Sequence, residues 1–126
     1  MAHRSRPGVF VIDCQTDDLS EAAAFWSAAL GEQVIVDDDG KYARVGDYDR
    51  SPRLLLQAVD HAPRIHMDIE TDDREAEAAR LEAAGARRIE TRERWIIMQA
   101  PSGHRFCLVG PQGEDFAEGA KMWGDA

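Results

Sequence analysis

The sequence has little cysteine, no basic cluster and no long apolar run, and each absence removes a class of protein. Only two cysteines, Cys14 and Cys107, occur in the 126 residues, which is too few for a disulfide framework. We expect both to be reduced thiols in a cytoplasmic protein. No apolar run approaches the roughly 20 residues of a membrane-spanning helix. Residues 1–8 are short, polar and basic, unlike a signal peptide.

Positive charge is also scarce. Lys and Arg number 15 against 24 Asp and Glu, which gives a formal net charge of −9. Because such a protein repels phosphate backbones, we expect no nucleic-acid partner. The sequence has no glycine-rich phosphate loop, Cys-x-x-Cys pair, His-Glu-x-x-His pattern or Gly-x-Ser-x-Gly elbow. Nucleotide cofactors and serine hydrolase chemistry are therefore disfavoured.

The most informative feature that the sequence does contain is an internal repeat. Residues 11–18 and 66–73 align at an offset of 55 positions, with Asp13 matching Asp68. A repeat of about 50 residues indicates one supersecondary unit that is used twice. With 44% hydrophobic residues, the chain has enough apolar material for a packed core.

The repeat predicts a single domain, residues 1–126, built from two modules. Module 1 covers about residues 8–59, module 2 covers about residues 64–110, and residues 111–126 form a C-terminal tail. We expect the tail and the N-terminal arm to be frayed or docking ends. Trp123, within the tail, is a candidate contact with a second subunit.

Each module shows the same order of patterns, a strand, a helix and three short strands. A glycine follows each predicted helix, where it can take the left-handed conformation that ends helices. The sequence therefore predicts an α+β fold, in which two βαβββ modules form a curved, open, barrel-like, eight-stranded mixed sheet with helices outside. The predicted helices are Leu19–Leu30 and Arg74–Ala84, and the predicted strands are Val9–Gln15, Glu32–Val36, Tyr42–Val45, Arg53–Val59, Ile65–Glu70, Arg87–Thr91, Arg94–Gln99 and Arg105–Val109.

The first strand of each module has one apolar and one polar side, because successive side chains alternate across a strand. We expect the apolar sides to pack on the helices and the polar sides to line a concave pocket between the modules. In module 1 the apolar side carries Phe10, Ile12 and Cys14, and the other side carries Val11, Asp13 and Gln15. In module 2 the apolar side carries Ile65, Met67 and Ile69, and the other side carries His66, Asp68 and Glu70.

Several runs of this sequence resemble the glyoxalase-like branch of the vicinal oxygen chelate superfamily. They are residues 13–31, 53–59, 66–69 and 95–109, and the most specific parts are Phe-Trp…Leu-Gly and Pro-x-Gly-x-x-Phe-Cys. That superfamily includes glyoxalase I, bleomycin-resistance proteins and extradiol dioxygenases. The resemblance implies a site between two modules, where metal-dependent members hold a divalent ion as a Lewis acid.

Carried over one position at a time, the implied metal ligands are mostly missing. The four positions fall on His66, Val11, Cys107 and about Leu55, so that only His66 is a conventional ligand. A stable divalent site generally needs three or more protein ligands. We therefore expect no cofactor, with His66 as a ligand only if a metal binds at all. A weaker alternative metal site would combine His66 with Asp13 and Asp68.

His66, Asp13 and Asp68 are the candidate catalytic residues. Histidine titrates near neutrality and can act as a general acid or base. The two aspartates occupy matching places in the repeats and could face each other, with one of them serving as an acid or base. Alternatively, His66 is a cavity histidine bonded to a neighbour, and each aspartate caps a loop or pairs with an arginine.

Five further residues are candidate ligand-binding residues. The Gln57 amide could contact a ligand, and the Trp95 indole could stack on it. The guanidinium groups of Arg53 and Arg105 at the pocket rim could bind an anion. The alternatives are core packing for the indole, solvated rim charges for the arginines and an inert packed thiol for the cysteine. These residues are Gln57, Trp95, Arg53, Arg105 and Cys107.

These observations leave three functional hypotheses. The first is a metal-independent enzyme that acts on a small molecule through His66 with Asp13 or Asp68. The second is a non-catalytic protein that sequesters a drug or metabolite, as the bleomycin-resistance relatives do. The third is a divalent-metal-dependent lyase or dioxygenase with a non-standard ligand set. We also expect a homodimer, because an open sheet exposes edges that a partner can cover.

Overall fold

The computed structural model describes residues 2–47 and 52–124, and the chain divides into two compact units. One unit contains residues 9–66, and the other contains residues 67–126 together with the N-terminal residues 1–8. We call them the 9–66 unit and the 67–126 unit. The division falls inside two strands, so that the N-terminal arm belongs to the unit of the second repeat.

The 9–66 unit contains the first repeat. Strand β1 spans His3–Gln15 and lies in this unit from Val9 onward. The other elements are α1 (Ser20–Leu30), β2 (Val34–Val36), β3 (Tyr42–Val45) and β4 (Arg53–Val59). Helix α1 is followed by Gly31, whose φ of 68° is the left-handed conformation that glycine adopts cheaply. The strand order is β2-β3-β4-β1, with β4 and β1 parallel and the other pairs antiparallel.

The 67–126 unit repeats that plan. Strand β5, Arg64–Thr71, enters it at Met67, and α2 begins where the Asp73 side chain accepts a hydrogen bond from the Ala76 amide at 3.0 Å. The other elements are α2 (Arg74–Ala83), β6 (Arg87–Thr91), β7 (Trp95–Gln99), β8 (Arg105–Val109), α3 (Phe116–Gly119) and β9 (Lys121–Trp123). The strand order is β5-β8-β7-β6, with β5 and β8 parallel. Across the described ranges, no helix is long and apolar enough to span a membrane.

Each unit has a core of its own, in which a helix packs on that unit's strands. In the 9–66 unit, Leu19 packs with Ile12 of β1 and Leu56 of β4. In the 67–126 unit, Ala78 of α2 packs with Met98 and with Leu108, Ile96 and Phe106. The predicted α+β class with two βαβββ modules is confirmed, and a ninth strand, β9, is present in addition.

The two chain ends are docked within the 67–126 unit. Strand β9 pairs antiparallel with residues 3–5 of β1. The Trp123 indole donates a hydrogen bond to the Ser5 hydroxyl at 2.8 Å, and the Arg80 guanidinium lies 3.9 Å from the centre of its ring. Phe116 of α3 is buried. Residues 116–123 are therefore docked and not frayed, and Trp123 contacts Ser5 and Arg80 of its own chain. Its contact with a second subunit stays a prediction.

The prediction for the faces of the two first strands was wrong in part. Asp13 and Glu70, expected on polar faces that line a pocket, are only 2% and 0% exposed. Phe10 and Ile65, expected to pack inside, are 38% and 63% exposed. The physical reason is pairing, since buried carboxylates are tolerated where cations and N–H donors compensate them.

Candidate functional site

Asp13 is the centre of a polar cluster in the 9–66 unit. Its Oδ2 accepts a hydrogen bond from His66 Nδ1 at 2.9 Å and one from Arg64 Nε at 3.4 Å. His61 Nε2 lies 3.8 Å from the same oxygen. The other oxygen, Oδ1, is buried and has no hydrogen-bond partner among the described residues. A buried carboxylate therefore has three basic groups on one oxygen and an uncompensated second oxygen.

Chain connectivity brings these groups together. After β4, a short link of residues 60–63 turns the chain into β5, which starts at Arg64. The His61 ring is fixed in this link, with Nδ1 2.8 Å from the Ala62 carbonyl oxygen and Nε2 3.4 Å from an Arg64 nitrogen. The local sequence thus places two histidines and an arginine within six residues, next to the strand that carries Asp13.

The contact with Asp13 bears on the position of the proton on the His66 ring. If Asp13 is ionised, its oxygen can only accept a hydrogen bond, and His66 then donates from Nδ1. In the neutral ring, Nε2 then carries the lone pair. The His66 side chain is 17% exposed, while that of Asp13 is 1% exposed. This is the arrangement of a histidine base held by a buried carboxylate.

Gln57 extends the polar cluster across the neighbouring strands. Gln57 of β4 is the register partner of Asp13 on one side and of Tyr42 on the other. Its amide nitrogen donates a hydrogen bond to the Tyr42 hydroxyl at 3.3 Å. Three adjacent strands therefore present polar side chains at one level. Tyr42 was not among the predicted site residues, although its place at the start of the predicted strand Tyr42–Val45 was a usable signal.

The residues at the implied metal-ligand positions do not fit a metal. Val11 and Leu55, two of the four positions, are direct register partners on β1 and β4, and Val11 is only 2% exposed. The polar pair is displaced by two residues along the same face, to Asp13 and Gln57. Across the described residues, no group of three or more His, Cys, Asp or Glu side chains could hold a metal ion.

The remaining predicted site residues are dispersed. Arg53 is 4% exposed at the start of β4, where its backbone is a register partner of Val9, and its role in ligand binding stays a prediction. Arg105 is exposed on β8. Cys107 is half-buried and is a register partner of Asp68. Both cysteines are free thiols, as expected, and burial raises the pKa of Cys14.

A buried arginine–glutamate pair in the 67–126 unit was missed by sequence reasoning. Arg6 donates from Nε and a terminal nitrogen to Glu70 Oε1 at 3.3 and 3.1 Å. The same oxygen accepts the Gln112 amide at 2.8 Å. Burial alone would lower the pKa of Arg6, but hydrogen bonds to Asp115 and Glu70 raise it. The signal was faint, because Arg6 lies in the arm that was expected to be a chain end.

A second buried carboxylate network in this unit involves Glu77 of α2. Its Oε1 lies 2.7 Å from His3 Nε2 and accepts Arg80 Nε at 2.8 Å. Burial alone would raise the pKa of Glu77, but the hydrogen bonds from Arg80 and His3 lower it to about 2. Glu77 is therefore an anion at neutral pH and fixes the N-terminal strand to α2.

The comparison with protein-family models decides the family. A model described as a glyoxalase-like domain matches residues 9–109. The chain belongs to the glyoxalase-like domain family. This match confirms the glyoxalase-like family that the sequence motifs predicted. No curated protein is close enough in sequence to count as a relative.

Solved structures support the fold of this glyoxalase-like domain. A hypothetical protein from Bacillus halodurans C-125 is 10% identical with a TM-score of 0.62, over 87% of this chain and 96% of that one. A 2,2',3-trihydroxybiphenyl 1,2-dioxygenase from Sphingomonas wittichii is 17% identical with a TM-score of 0.60, over 87% of this chain and 42% of that one. The Mn(II)-bound glyoxalase from Novosphingobium aromaticivorans is 18% identical with a TM-score of 0.54, over 87% of this chain and 40% of that one. At these identities the likeness concerns the fold alone.

Proposed function

We propose that this glyoxalase-like domain is a metal-independent enzyme in which His66 transfers a proton to and from a small molecule. The observation that supports this most directly is the 2.9 Å contact between His66 Nδ1 and the buried Asp13 carboxylate. Asp13 is the positioning residue, because it holds the ring and its tautomer. His66 is the catalytic residue, and its partly exposed side chain is accessible to a substrate.

The proposed step is a reversible proton transfer. His66 Nε2 takes a proton from an acidic C–H or O–H bond of the substrate, and the electron pair of that bond stays on the substrate. The ring becomes an imidazolium, which the negative charge of Asp13 stabilises across a short distance in a poorly solvated place. The same nitrogen then returns the proton to another atom or the same atom of the substrate. The Gln57 amide, beside Asp13 in the register, is available to contact substrate oxygen atoms.

The two other hypotheses have weaker support. A metal-dependent lyase or dioxygenase is suggested by the fold likeness to a Mn(II)-bound glyoxalase and a dioxygenase. Val11 and Leu55 at ligand positions argue against the family's usual site in this chain. Non-catalytic sequestration would need a ligand but no proton transfer. Asp68, the other predicted acid or base, stays a prediction, as do the homodimer and the cytoplasmic location.

The first test reads the tautomer of His66 directly. Long-range ¹H–¹⁵N spectra of the neutral protein should show His66 with its proton on Nδ1, which is the minor form of a free histidine ring. His104, an exposed histidine beside Ser102, is the internal comparison. In Asp13→Asn the Nδ1 preference should be lost. A His66 ring protonated on Nε2 in the unmodified protein would contradict the proposal.

The second test measures proton transfer between the protein and a small molecule. A panel of small α-hydroxy carbonyl compounds is incubated with the protein in D₂O, and deuterium incorporation is followed by NMR. We expect at least one compound to exchange faster with the protein, and His66→Ala to slow it by about 10²-fold or more, as for the loss of a general base. His104→Ala is the control. Binding of a compound without exchange above background would favour sequestration and reject the catalytic proposal.

A further inference from the structure

An open cleft lies in the 67–126 unit, where β5 and β8 end and β7 begins. Its volume is about 590 Å³, within the range of roughly 300–1,000 Å³ that is usual for small-molecule sites. Thr71 and Asp72 line it from the β5 end, Arg94 and Trp95 from the β7 start, and residues 109–112 from the end of β8. None of these residues belongs to the Asp13 cluster of the 9–66 unit.

We infer that this cleft is a second ligand site, one that takes a small planar anion such as an aromatic carboxylate. The inference goes beyond the proposed function, because it concerns other residues and needs no proton transfer. Two features carry it. One is a pair of arginines whose side chains have no ion pair or hydrogen bond with another described residue, and the other is an exposed indole beside an apolar wall.

Arg74 and Arg94 are the cationic side chains of the cleft. Neither has an ion pair or hydrogen bond among the described residues, unlike Arg6, which is fully engaged. The opposing carboxylate, Asp72, already accepts the Arg4 amide at 2.8 Å. In a protein of net charge −9, two such arginines in one cleft are unusual. Guanidinium groups match carboxylates in a bidentate geometry, so an anion is the complementary ligand.

Trp95 provides the surface for the planar part of the ligand. Its side chain is 37% exposed, and its register partner Val109 also lines the cleft, followed by Gly110 and Pro111. Arg92 lies 5.9 Å from the centre of the indole ring. A flat aromatic group can stack on such an indole and displace water from the adjoining apolar wall. Stacking and charge together select an aromatic anion over a neutral ring or a bare inorganic ion.

Hydrogen bonds to a buried ion pair hold the cleft wall at Gln112 in place. The backbone amide of Gln112, at the edge of the cleft, donates a hydrogen bond to Glu70 at 2.8 Å, and its carbonyl oxygen accepts one from Arg6 at 2.9 Å. The Arg6–Glu70 pair is buried, and Gly8 leaves it room, since a Cβ there would come within 2.6 Å of the Glu70 side chain. A wall fixed in this way needs little ordering when a ligand binds, which favours affinity.

The test uses 1-naphthoate and its uncharged amide, 1-naphthamide, as probes of the whole protein. Binding is followed through the indole N–H signals of Trp26, Trp95 and Trp123 in ¹H–¹⁵N spectra. We expect naphthoate to shift the Trp95 signal selectively and to bind about tenfold more tightly than the amide, because charge-assisted hydrogen bonds are lost in the amide. Inorganic phosphate alone should shift Trp95 much less.

Variants separate the cleft from general charge effects. Arg74→Gln with Arg94→Gln should weaken naphthoate binding about tenfold and leave binding of the amide unchanged. Neither change removes a side-chain ion pair or hydrogen bond between described residues. Arg44→Gln is the matched control, since Arg44 is an exposed arginine on β3 in the 9–66 unit. Equal binding of acid and amide, equal losses in the control, or shifts at Trp26 instead of Trp95 would each overturn the inference. His66→Ala should leave naphthoate binding intact, so that a failure of the catalytic proposal can be distinguished from a failure of the inference about the cleft.

Discussion

Asp13 in the 9–66 unit and Glu70 in the 67–126 unit are both buried carboxylates on the first strand of a repeat, but their surroundings differ. Glu70 is 0% exposed, and its Oε1 accepts hydrogen bonds from the equally buried Arg6 and from the Gln112 amide. Asp13 is bonded through one oxygen to His66 and Arg64, whose side chains are 17% and 51% exposed. Its second oxygen has no partner in the described part of the chain.

This difference separates a structural carboxylate from one suited to chemistry. A buried ion pair with all its groups bonded holds a fold in one arrangement, and breaking it leaves an uncompensated charge. A buried carboxylate that holds a partly exposed histidine can instead direct the proton state of that ring toward solvent. We therefore expect substitutions at the first site to affect stability and those at the second to affect function.

The largest effect is expected from Arg6→Met. It removes the cation beside Glu70 and should lower the free energy of unfolding by about 3–5 kcal/mol, as for other buried pairs that lose one partner. Arg4→Met is the control, because the Arg4 side chain has no ion pair with any described residue, whereas its backbone bonds Asp72 and Thr71. Urea denaturation of both variants measures the difference. A loss below about 1 kcal/mol for Arg6→Met would show that the pair is not structural.

A somewhat smaller effect is expected from protonation of Glu77. Its pKa is lowered from 4.5 to about 2 in the folded protein, so its stabilising effect is present above pH 4.5 and is lost as the pH falls toward 2. The shift corresponds to about 3 kcal/mol. Glu77→Gln should be less stable than the unmodified protein at pH 7 by about this amount, and the gap should close near pH 2. Denaturation curves at several pH values test this, and a gap that stays constant with pH would contradict it.

Most of the fold, but only part of the candidate site, could be predicted from the sequence. The repeat and the strand and helix periodicities predicted β3, β4, β6 and β8 to the residue, since these short strands alternate clearly between turns. His66 and Asp13 were found because each lies on the polar side of a first strand. Their contact was not predicted, because it depends on the turn of residues 60–63. Trp95 was a candidate for stacking on a ligand, but the role of Arg6 was hidden, since a periodic pattern does not show which distant side chain compensates a buried charge.

The smallest effect on stability, and the sharpest on function, is expected from Asp13→Asn. Its partners His66 and Arg64 are partly exposed and can be solvated when the carboxylate is neutralised, so the free energy of unfolding should change by about 1 kcal/mol or less. The Asn side chain has the same shape, but its amide can donate to His66 Nδ1 and favour the wrong tautomer. Deuterium exchange should therefore fall by about 10²-fold or more while the protein stays folded. A large loss of stability with exchange unchanged per folded molecule would place Asp13 with Glu70 among the structural carboxylates, and the contrast between the two units would disappear.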